Sequence, residues 1–247
     1  METYQEFLNR VSKFEKREFG IGEQDFKPSE GVLQKVGLNN CFSPFAGDTV
    51  VFKIYKKDRD KINAYVDQLY SEAPECFSER LHPHTIHMTL HDLTTLPDCP
   101  SLSCAEELVN HKVENFNKLF ELKSKQAFEV PGISSGIRMR TNFMINMVNT
   151  SVVLCLVPDT ADDYKKLISL YTIIDENVIK LPYPFTPHVT LAYYNRNGFN
   201  IHSANKLKVL ITNLNVHDSF TIFLDPKNLV YQKFLSMNYF VDKLDLI

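Results

Sequence analysis

The chain has 247 residues, of which 44% are hydrophobic and 23% charged, and its formal net charge is −3. This weak negative charge argues against binding of long polyanions through overall charge, although a small anion needs only a local basic patch. No stretch approaches the about 18 apolar residues of a membrane span, and the first residues lack the apolar core of a signal peptide. The five cysteines are odd in number and include no C-x-x-C pair, which is typical of a reduced compartment. We therefore expect a soluble, cytoplasmic protein.

The first quarter of the chain predicts one helix, one long connection and the first strand. Apolar residues with helical spacing predict an amino-terminal helix of about four turns: Tyr4, Phe7, Leu8, Val11 and Phe14. Residues 19–48 contain several Gly and Pro and little periodicity, so we expect an ordered connection that forms a lid or a pocket wall. β-branched and aromatic residues at 49–55 predict a strand. Asp58 is the expected N-cap of the helix that follows.

The rest of the chain alternates strands and helices in two similar rounds. In the first round, Ser103-x-x-Glu106 predicts a capping box that opens a helix reaching Phe120, and strands follow near 127–130 and 141–148. The second round predicts strands and helices at 151–157 (strand), 159–177 (helix), around His188 (strand), 203–214 (helix), 219–224 (strand) and 228–235 (strand), the last two joined by a turn. Paired terminal strands and the absence of a glycine-rich βα turn favour an α+β fold over a parallel α/β fold.

A four-residue motif occurs twice, as His87–Leu90 and as His188–Leu191. One copy of His-x-Thr-Leu is expected only about 0.05 times by chance in a chain of this composition. The shift of 101 positions (87 to 188) also aligns the preceding residues without a gap: Val51 with Val152, Asp58 with Asp159, Leu69 with Leu170, Pro83 with Pro184 and Thr85 with Thr186. A repeat of this length indicates two copies of a supersecondary unit rather than a solenoid, whose periods are about 20–50 residues.

The repeat predicts the domain organisation. Residues 1–48 are expected to form the amino-terminal helix and long connection, and residues 49–247 a single bilobal domain with halves at about 49–150 and 151–247. We predict a duplicated α+β fold with pseudo-twofold symmetry, in which two antiparallel sheets flank a central cleft and the helices lie outside.

Each copy of the motif places an imidazole beside a hydroxyl. Residues i and i+2 of a strand project from the same face, so His87 lies beside Thr89 and His188 beside Thr190. Two imidazoles across a cleft can divide acid and base roles, since an ordinary pKa of about 6.5 leaves both protonation states available near neutrality. Threonine hydroxyls can donate hydrogen bonds to phosphate oxygens. The four side chains therefore predict cleavage of a phosphodiester without a metal.

Paired His-x-Thr motifs on strands of a duplicated fold resemble the two-histidine (2H) phosphoesterase superfamily, the group of the RNA 2′,3′-cyclic phosphodiesterases or 2′-5′ RNA ligase-like proteins. The second copy, at 185–192, is especially similar to the family form F-x-P-H-x-T-L-A. The resemblance implies that His87 and His188 are catalytic and that Thr89 and Thr190 bind phosphate. It implies hydrolysis of a 2′,3′-cyclic phosphate or of a short RNA or nucleotide phosphodiester. We expect a nucleotide or RNA-end substrate, no cofactor, no metal, no membrane and no obligate protein partner.

Four further residues are candidates for substrate binding. His91 and Tyr194 continue the alternation that points His87 and His188 toward the cleft, so they either contact a base or sugar or only cap the strand ends. Arg138 and Arg140 share one face of a strand, and they either supply positive charge to the cleft or are solvated surface arginines.

Alternative hypotheses remain open at the level of sequence. In one alternative, a cluster of four histidines binds a metal: His82, His84, His87 and His91. That hypothesis leaves His188 unexplained. The same catalytic residues would also serve a ligase or phosphoryl transferase, or a module that binds RNA ends or cyclic nucleotides without turnover. The sequence does not assign acid and base between the two motif histidines, and hydrolysis by the pair predicts a bell-shaped pH profile near neutrality.

Overall fold

The structure is a computed structural model that describes residues 2–15, 21, 24–96, 100–215 and 219–247. Within these residues the chain forms seven α-helices: α1 Tyr4–Glu15, α2 Glu30–Lys35, α3 Lys56–Glu72, α4 Leu102–His111, α5 Glu114–Ser124, α6 Ala161–Asn177 and α7 Ile201–Leu214. It also forms eight strands: β1 Ala46–Lys53, β2 His87–Leu96, β3 Ile137–Met147, β4 Ser151–Pro158, β5 His188–Tyr193, β6 Thr221–Leu224, β7 Leu229–Ser236 and β8 Tyr239–Asp245. No helix of the described residues is both long enough and apolar enough to cross a bilayer.

All neighbouring strands are antiparallel, in the order β6-β3-β4-β5-β2-β1-β7-β8. The predicted α+β class is confirmed. The two expected antiparallel sheets are the four-stranded halves of one continuous sheet. They are joined because β2 and β5 pair with each other, through the single residue pair Met88 and Val189.

The order of the strands has the predicted pseudo-twofold character. Read outward from the centre, one half runs β2-β1-β7-β8 and the other runs β5-β4-β3-β6. The shift of 101 positions relates β1 and β2 to β4 and β5, but the outer strands are exchanged: β3 precedes residue 150 and pairs with β4 and β6, whereas β7 follows residue 151 and pairs with β1. Each half of the sequence therefore contributes strands to both halves of the sheet. The domain boundary at residue 48 stays a prediction.

Helices cover the apolar faces of the sheet. The large core cluster joins β2, β4 and β5 to the buried faces of the helices, including Ile62 and Leu69 of α3 and Leu170 of α6. All eight residues of β4 are buried, as expected for a central strand that is covered on both faces. The amino-terminal helix makes a second cluster, in which Phe7 and Val11 pack against β3, β4 and α6.

Several local predictions are corrected by the structure. Helix α3 begins at Lys56, so Asp58 lies buried in its first turn instead of capping it, and Tyr55 occupies the N-cap position. Ser101 caps α4 in place of Ser103, and its hydroxyl accepts a hydrogen bond from the Cys104 amide at 3.2 Å.

Other differences concern whole elements. The single helix predicted to reach residue 120 is divided into α4 and α5, and residues 127–130 form a turn and irregular backbone instead of a strand. Helix α2 and strand β8 were not predicted, because one has only six residues and the other mixes charged and apolar side chains without burial of one face. The predicted connection begins at residue 19, within a segment (16–20) that lies outside the described residues. Cys99 also lies outside them.

The packing of α1 predicts that Phe7→Ala lowers the free energy of unfolding by about 3–5 kcal/mol, because a buried aromatic side chain is lost and a cavity remains. Phe7 is 1% exposed and its ring lies 5.1 Å from that of Tyr164. Lys13→Ala on the exposed side of the same helix is the control, with an expected change within about 0.5 kcal/mol. Equal effects of the two substitutions in urea unfolding would show that α1 is not part of the core.

Candidate active site

The pair Met88 and Val189 brings the two motifs together at the centre of the sheet. In its antiparallel register, His87 lies across from Thr190 and Thr89 lies across from His188. Side chains directly opposite in such a pair have Cβ atoms about 4.5–5.5 Å apart, and diagonal neighbours are about 7–8 Å apart. Met88 and Val189 point to the other face and are fully buried. We call the four cleft-facing side chains the His–Thr tetrad, and its spacing suits one phosphate group.

Both imidazoles are fixed by the same backbone contact. His87 Nδ1 lies 2.7 Å from the Thr85 carbonyl oxygen, and His188 Nδ1 lies 2.8 Å from the Thr186 carbonyl oxygen. A carbonyl oxygen accepts a hydrogen bond, so Nδ1 carries a proton in each ring. Nε2 is therefore the atom that can gain or lose a proton toward the cleft, and the ring keeps its orientation in both states.

The cleft makes both imidazoles weaker bases than usual. Burial lowers the pKa of His87 to about 4, against the opposing effects of the Thr85 carbonyl and the Asp92 carboxylate. Burial also lowers the pKa of His188, and the Thr186 carbonyl and Asp92 again oppose it. Both rings are accordingly neutral in the free protein at neutral pH. A bound phosphate would raise both pKa values, because a nearby negative charge favours the imidazolium form.

A β-bulge follows the motif in each copy. Two consecutive residues of β1 pair with Thr89 and His91 of β2, so Leu90 is an extra residue without a partner in β1. In the same way, two consecutive residues of β4 pair with Thr190 and Ala192 of β5, so Leu191 is an extra residue. An extra residue on one strand reverses the alternation of side chains beyond it. The bulges therefore decide which later residues face the cleft.

Asp92 and Tyr193 face the cavity beyond the bulges, and neither was among the residues predicted from the sequence to bind substrate. Asp92 accepts a hydrogen bond from the Tyr183 hydroxyl at 3.3 Å, and the Tyr193 side chain lies beside that of Thr190. The shift of 101 positions relates Asp92 to Tyr193, so the two residues occupy equivalent positions in the repeat. The bulge that turns them toward the cavity cannot be predicted from the sequence. The repeat alone therefore could not have identified them as cleft residues.

The predictions for Tyr194 and His91 are corrected for the same reason. Tyr194 is fully buried, and its ring lies among three phenylalanine rings away from the cavity: Phe26, Phe77 and Phe199. The side chain of His91 belongs to the cavity wall but has no exposed surface. Its Nδ1 lies 2.6 Å from the Asp92 carbonyl oxygen and its Nε2 lies 3.3 Å from Asp175 Oδ1. His91 is part of the wall and Tyr194 is part of the core, and neither presents a polar atom to a ligand.

Arg138 and Arg140 are exposed on β3 and do not line the cavity. The alternate residues of this part of β3 are buried in the core, so the arginines project from the opposite face. Arg138 Nε lies 3.8 Å from Asp163 Oδ2. The structure therefore does not bring either arginine to the tetrad.

The four-histidine metal hypothesis has no geometric support in the described part of the chain. No three His, Cys, Asp or Glu side chains converge there in a way that could hold a metal ion. The exposed rings of His82 and His84 lie 5.3 Å apart. The Nδ1 atom of His87 and both ring nitrogens of His91 already contact protein oxygens.

The tetrad opens into a cavity of about 1530 Å³, far more than one phosphate requires. Aromatic side chains line it on both sides of the tetrad: Phe45, Tyr171, Tyr183, Phe185, Tyr193, Phe234 and Phe240. Helix α2 adds Lys35, whose Nζ lies over the rings of Phe45 and Tyr193. The connection before β1 thus forms part of a pocket wall, as predicted.

Comparisons with protein-family models and with curated proteins find no match. Comparison with solved structures does find proteins whose structures are similar to this chain. The conserved protein of unknown function ATU0111 from Agrobacterium tumefaciens str. C58 is 14% identical, covers 90% of this chain and 94% of its own, and superposes with a TM-score of 0.56. This chain has the fold of ATU0111.

Two further structures have lower scores. E. coli LigT in apo form is 11% identical, with 82% of this chain and 96% of LigT covered and a TM-score of 0.46. TT0787 of Thermus thermophilus is 10% identical, with 80% of this chain and 94% of TT0787 covered and a TM-score of 0.45. The fold assignment rests on ATU0111 alone.

The buried environment of the tetrad predicts the titration of His87. NMR of labelled imidazoles should show a midpoint near pH 4, with His87→Gln used to assign the signal. Because the folded pKa lies below the unfolded value of about 6.5, this histidine's contribution to stability is present above pH 6.5 and is lost as the pH falls toward 4. Titration near 6.5 in the folded protein would mean that water fills the cleft and the ring is not desolvated.

Proposed function

We propose that the protein is a metal-independent phosphodiesterase of the two-histidine type. It hydrolyses a cyclic phosphate, such as a 2′,3′-cyclic nucleotide or RNA end, or a short RNA or nucleotide phosphodiester. The observation that carries this proposal is the Met88–Val189 pair, which joins two distant His-x-Thr motifs into one tetrad. The resemblance of both motifs to the 2H phosphoesterases supports the same conclusion.

The tetrad contains the groups that hydrolysis requires. One neutral imidazole accepts a proton through Nε2 from a water molecule, whose oxygen forms a new bond to phosphorus. The other imidazole, in its protonated form, donates its Nε2 proton to the leaving oxygen as the old P–O bond breaks. The hydroxyls of Thr89 and Thr190 donate hydrogen bonds to the non-bridging oxygens, whose negative charge increases in the transition state.

Substrate binding is needed to prepare the acid. In the free protein the lowered pKa values leave both imidazoles neutral at neutral pH. The anionic phosphate then raises the pKa of the rings that surround it, and one of them takes up a proton. The pseudosymmetric tetrad would permit either histidine to be the acid, so the asymmetric parts of the cavity must decide the assignment.

Removal of either histidine should abolish most turnover of a 2′,3′-cyclic mononucleotide. His87→Ala and His188→Ala should each reduce kcat about 10²–10⁴-fold, and the double variant should be little worse, because the pair acts as a unit. Thr89→Ala and Thr190→Ala should retain more activity, since each removes one neutral donor.

His202→Ala is the control for these variants, because this exposed residue lies on α7 outside the cavity wall. All assays are run with and without EDTA, and activity should survive chelation. Near-normal activity of either motif variant would show that its motif is structural. Binding of every cyclic nucleotide without any product would instead support a binding module.

The pH dependence should differ between the free and the substrate-bound protein. The profile of kcat/KM follows the free protein, so the lowered histidine pKa values move its maximum from the neutral pH expected of ordinary imidazoles to acidic pH, with a decline as the pH rises through neutrality. The profile of kcat follows the complex, in which phosphate raises the same pKa values, so its maximum lies at higher pH. Coincident maxima in the two profiles would contradict protonation driven by the substrate.

A further inference from the structure

The cavity contains an ammonium group close to the tetrad that the hydrolytic chemistry does not use. Lys35 Nζ lies 4.9 Å from the ring centre of Phe45 and 5.8 Å from that of Tyr193. Tyr193 in turn lies beside the side chain of Thr190, so the ammonium is one aromatic ring away from the tetrad. The two rings attract the charge but accept no conventional hydrogen bonds from its three N–H groups.

The helix that carries this lysine is fixed in place by contacts from distant parts of the chain. Arg196, which follows β5, donates hydrogen bonds to the carbonyl oxygens of Leu33 and Val36 near the end of α2. The Ser29 and Thr150 hydroxyls, 2.7 Å apart, connect the start of α2 to the β3–β4 turn. The backbone that carries the ammonium is therefore held in position before a ligand arrives, which reduces the entropic cost of binding.

The two sides of the tetrad differ in charge although the repeat makes them equivalent in backbone. Asp92 and Tyr193 occupy corresponding positions after the two bulges. Asp92 places a carboxylate at one of these positions, and Lys35 places an ammonium over Tyr193 at the other, near enough for the two charges to interact. An additional anionic group of the substrate is attracted by Lys35 and repelled by Asp92, so it is favoured on the Lys35 side of Tyr193.

The electrostatic state of Lys35 agrees with an anion site. Burial lowers the pKa of Lys35, and the Asp92 carboxylate partly opposes this effect. A phosphate beside the ammonium would favour its charged form and replace the water that burial removes. The tetrad already offers two hydroxyls and two imidazoles to the reacting phosphate, so the ammonium is available to a different group.

We propose that Lys35 binds a second phosphate of the substrate, distinct from the phosphodiester held by the tetrad. This inference rests on the proposed function and narrows its substrate class. The preferred substrate is a nucleotide or short oligonucleotide that carries a further phosphate on the nucleoside next to the reacting group. Lys35 thereby fixes the orientation of that substrate in a tetrad whose own symmetry does not distinguish the two directions.

The test compares product analogues with one and two phosphates by calorimetry, so that it does not depend on turnover. Adenosine 3′,5′-bisphosphate is compared with adenosine 3′-monophosphate, and adenosine 2′,5′-bisphosphate with adenosine 2′-monophosphate. In at least one of these two pairs, the wild-type protein should bind the bisphosphate about tenfold or more tightly than the monophosphate. A gain of this size is what one charge-assisted hydrogen bond contributes to affinity. Lys35→Gln should reduce this ratio to about one.

The control is Lys56→Gln, since Lys56 is a strongly exposed lysine on α3, and it should keep the wild-type ratio. Circular dichroism establishes that each variant is folded. Equal affinity for mono- and bisphosphates in the wild-type protein, or a preference that survives Lys35→Gln, would overturn the inference. An equal loss of affinity for both ligands would also overturn it, because Lys35 would then contact the reacting phosphate.

The outcome for the proposed function is separate. A bisphosphate preference that depends on Lys35, in a protein that turns over none of the cyclic nucleotides or dinucleotides, would reject the hydrolase and retain the anion site. Turnover that depends on both histidines without such a preference would retain the hydrolase and reject the anion site.

Discussion

The site depends on one contact between two strands. Met88 of β2 and Val189 of β5 form the only residue pair between the two halves of the sheet within the described residues, and both side chains are fully buried. Their register decides that His87 meets Thr190 and that Thr89 meets His188. The bulges that follow at Leu90 and Leu191 change the course of both strands. A narrow junction with a cleft beside it is the result.

The same junction sets the electrostatics of the site. Burial lowers the pKa of both imidazoles. A backbone carbonyl fixes the orientation of each ring and partly offsets this lowering of the pKa. The protein therefore provides two weak bases, which hold a proton near neutral pH when an anion lies beside them.

The sequence predicted the tetrad because the motif occurs twice and because the spacing of two residues in a strand is a reliable geometric rule. The same rule failed for His91 and Tyr194, since a bulge changes the alternation and leaves no mark in a single sequence. Lys35 could not be predicted either: it reaches the cavity from a short helix with no counterpart in the second repeat. The α+β class followed from the alternation of elements, but the exchange of the outer strands depends on pairing across the chain, which periodicity does not encode.

The exchange of outer strands makes the two repeats a single folding unit. A chain that ended at residue 150 would leave β3 without β4 and β6, and β1 without β7, so two apolar strands would expose unpaired edges. We therefore expect neither repeat to be stable by itself, in spite of its similarity to the other. Folding must await the carboxy-terminal strands, whose pairing with β1 spans most of the chain, and such non-local pairing makes folding slow. On this expectation, a chain cut between the two similar motifs would lose strand pairs from both halves of the sheet, and the two halves would unfold together.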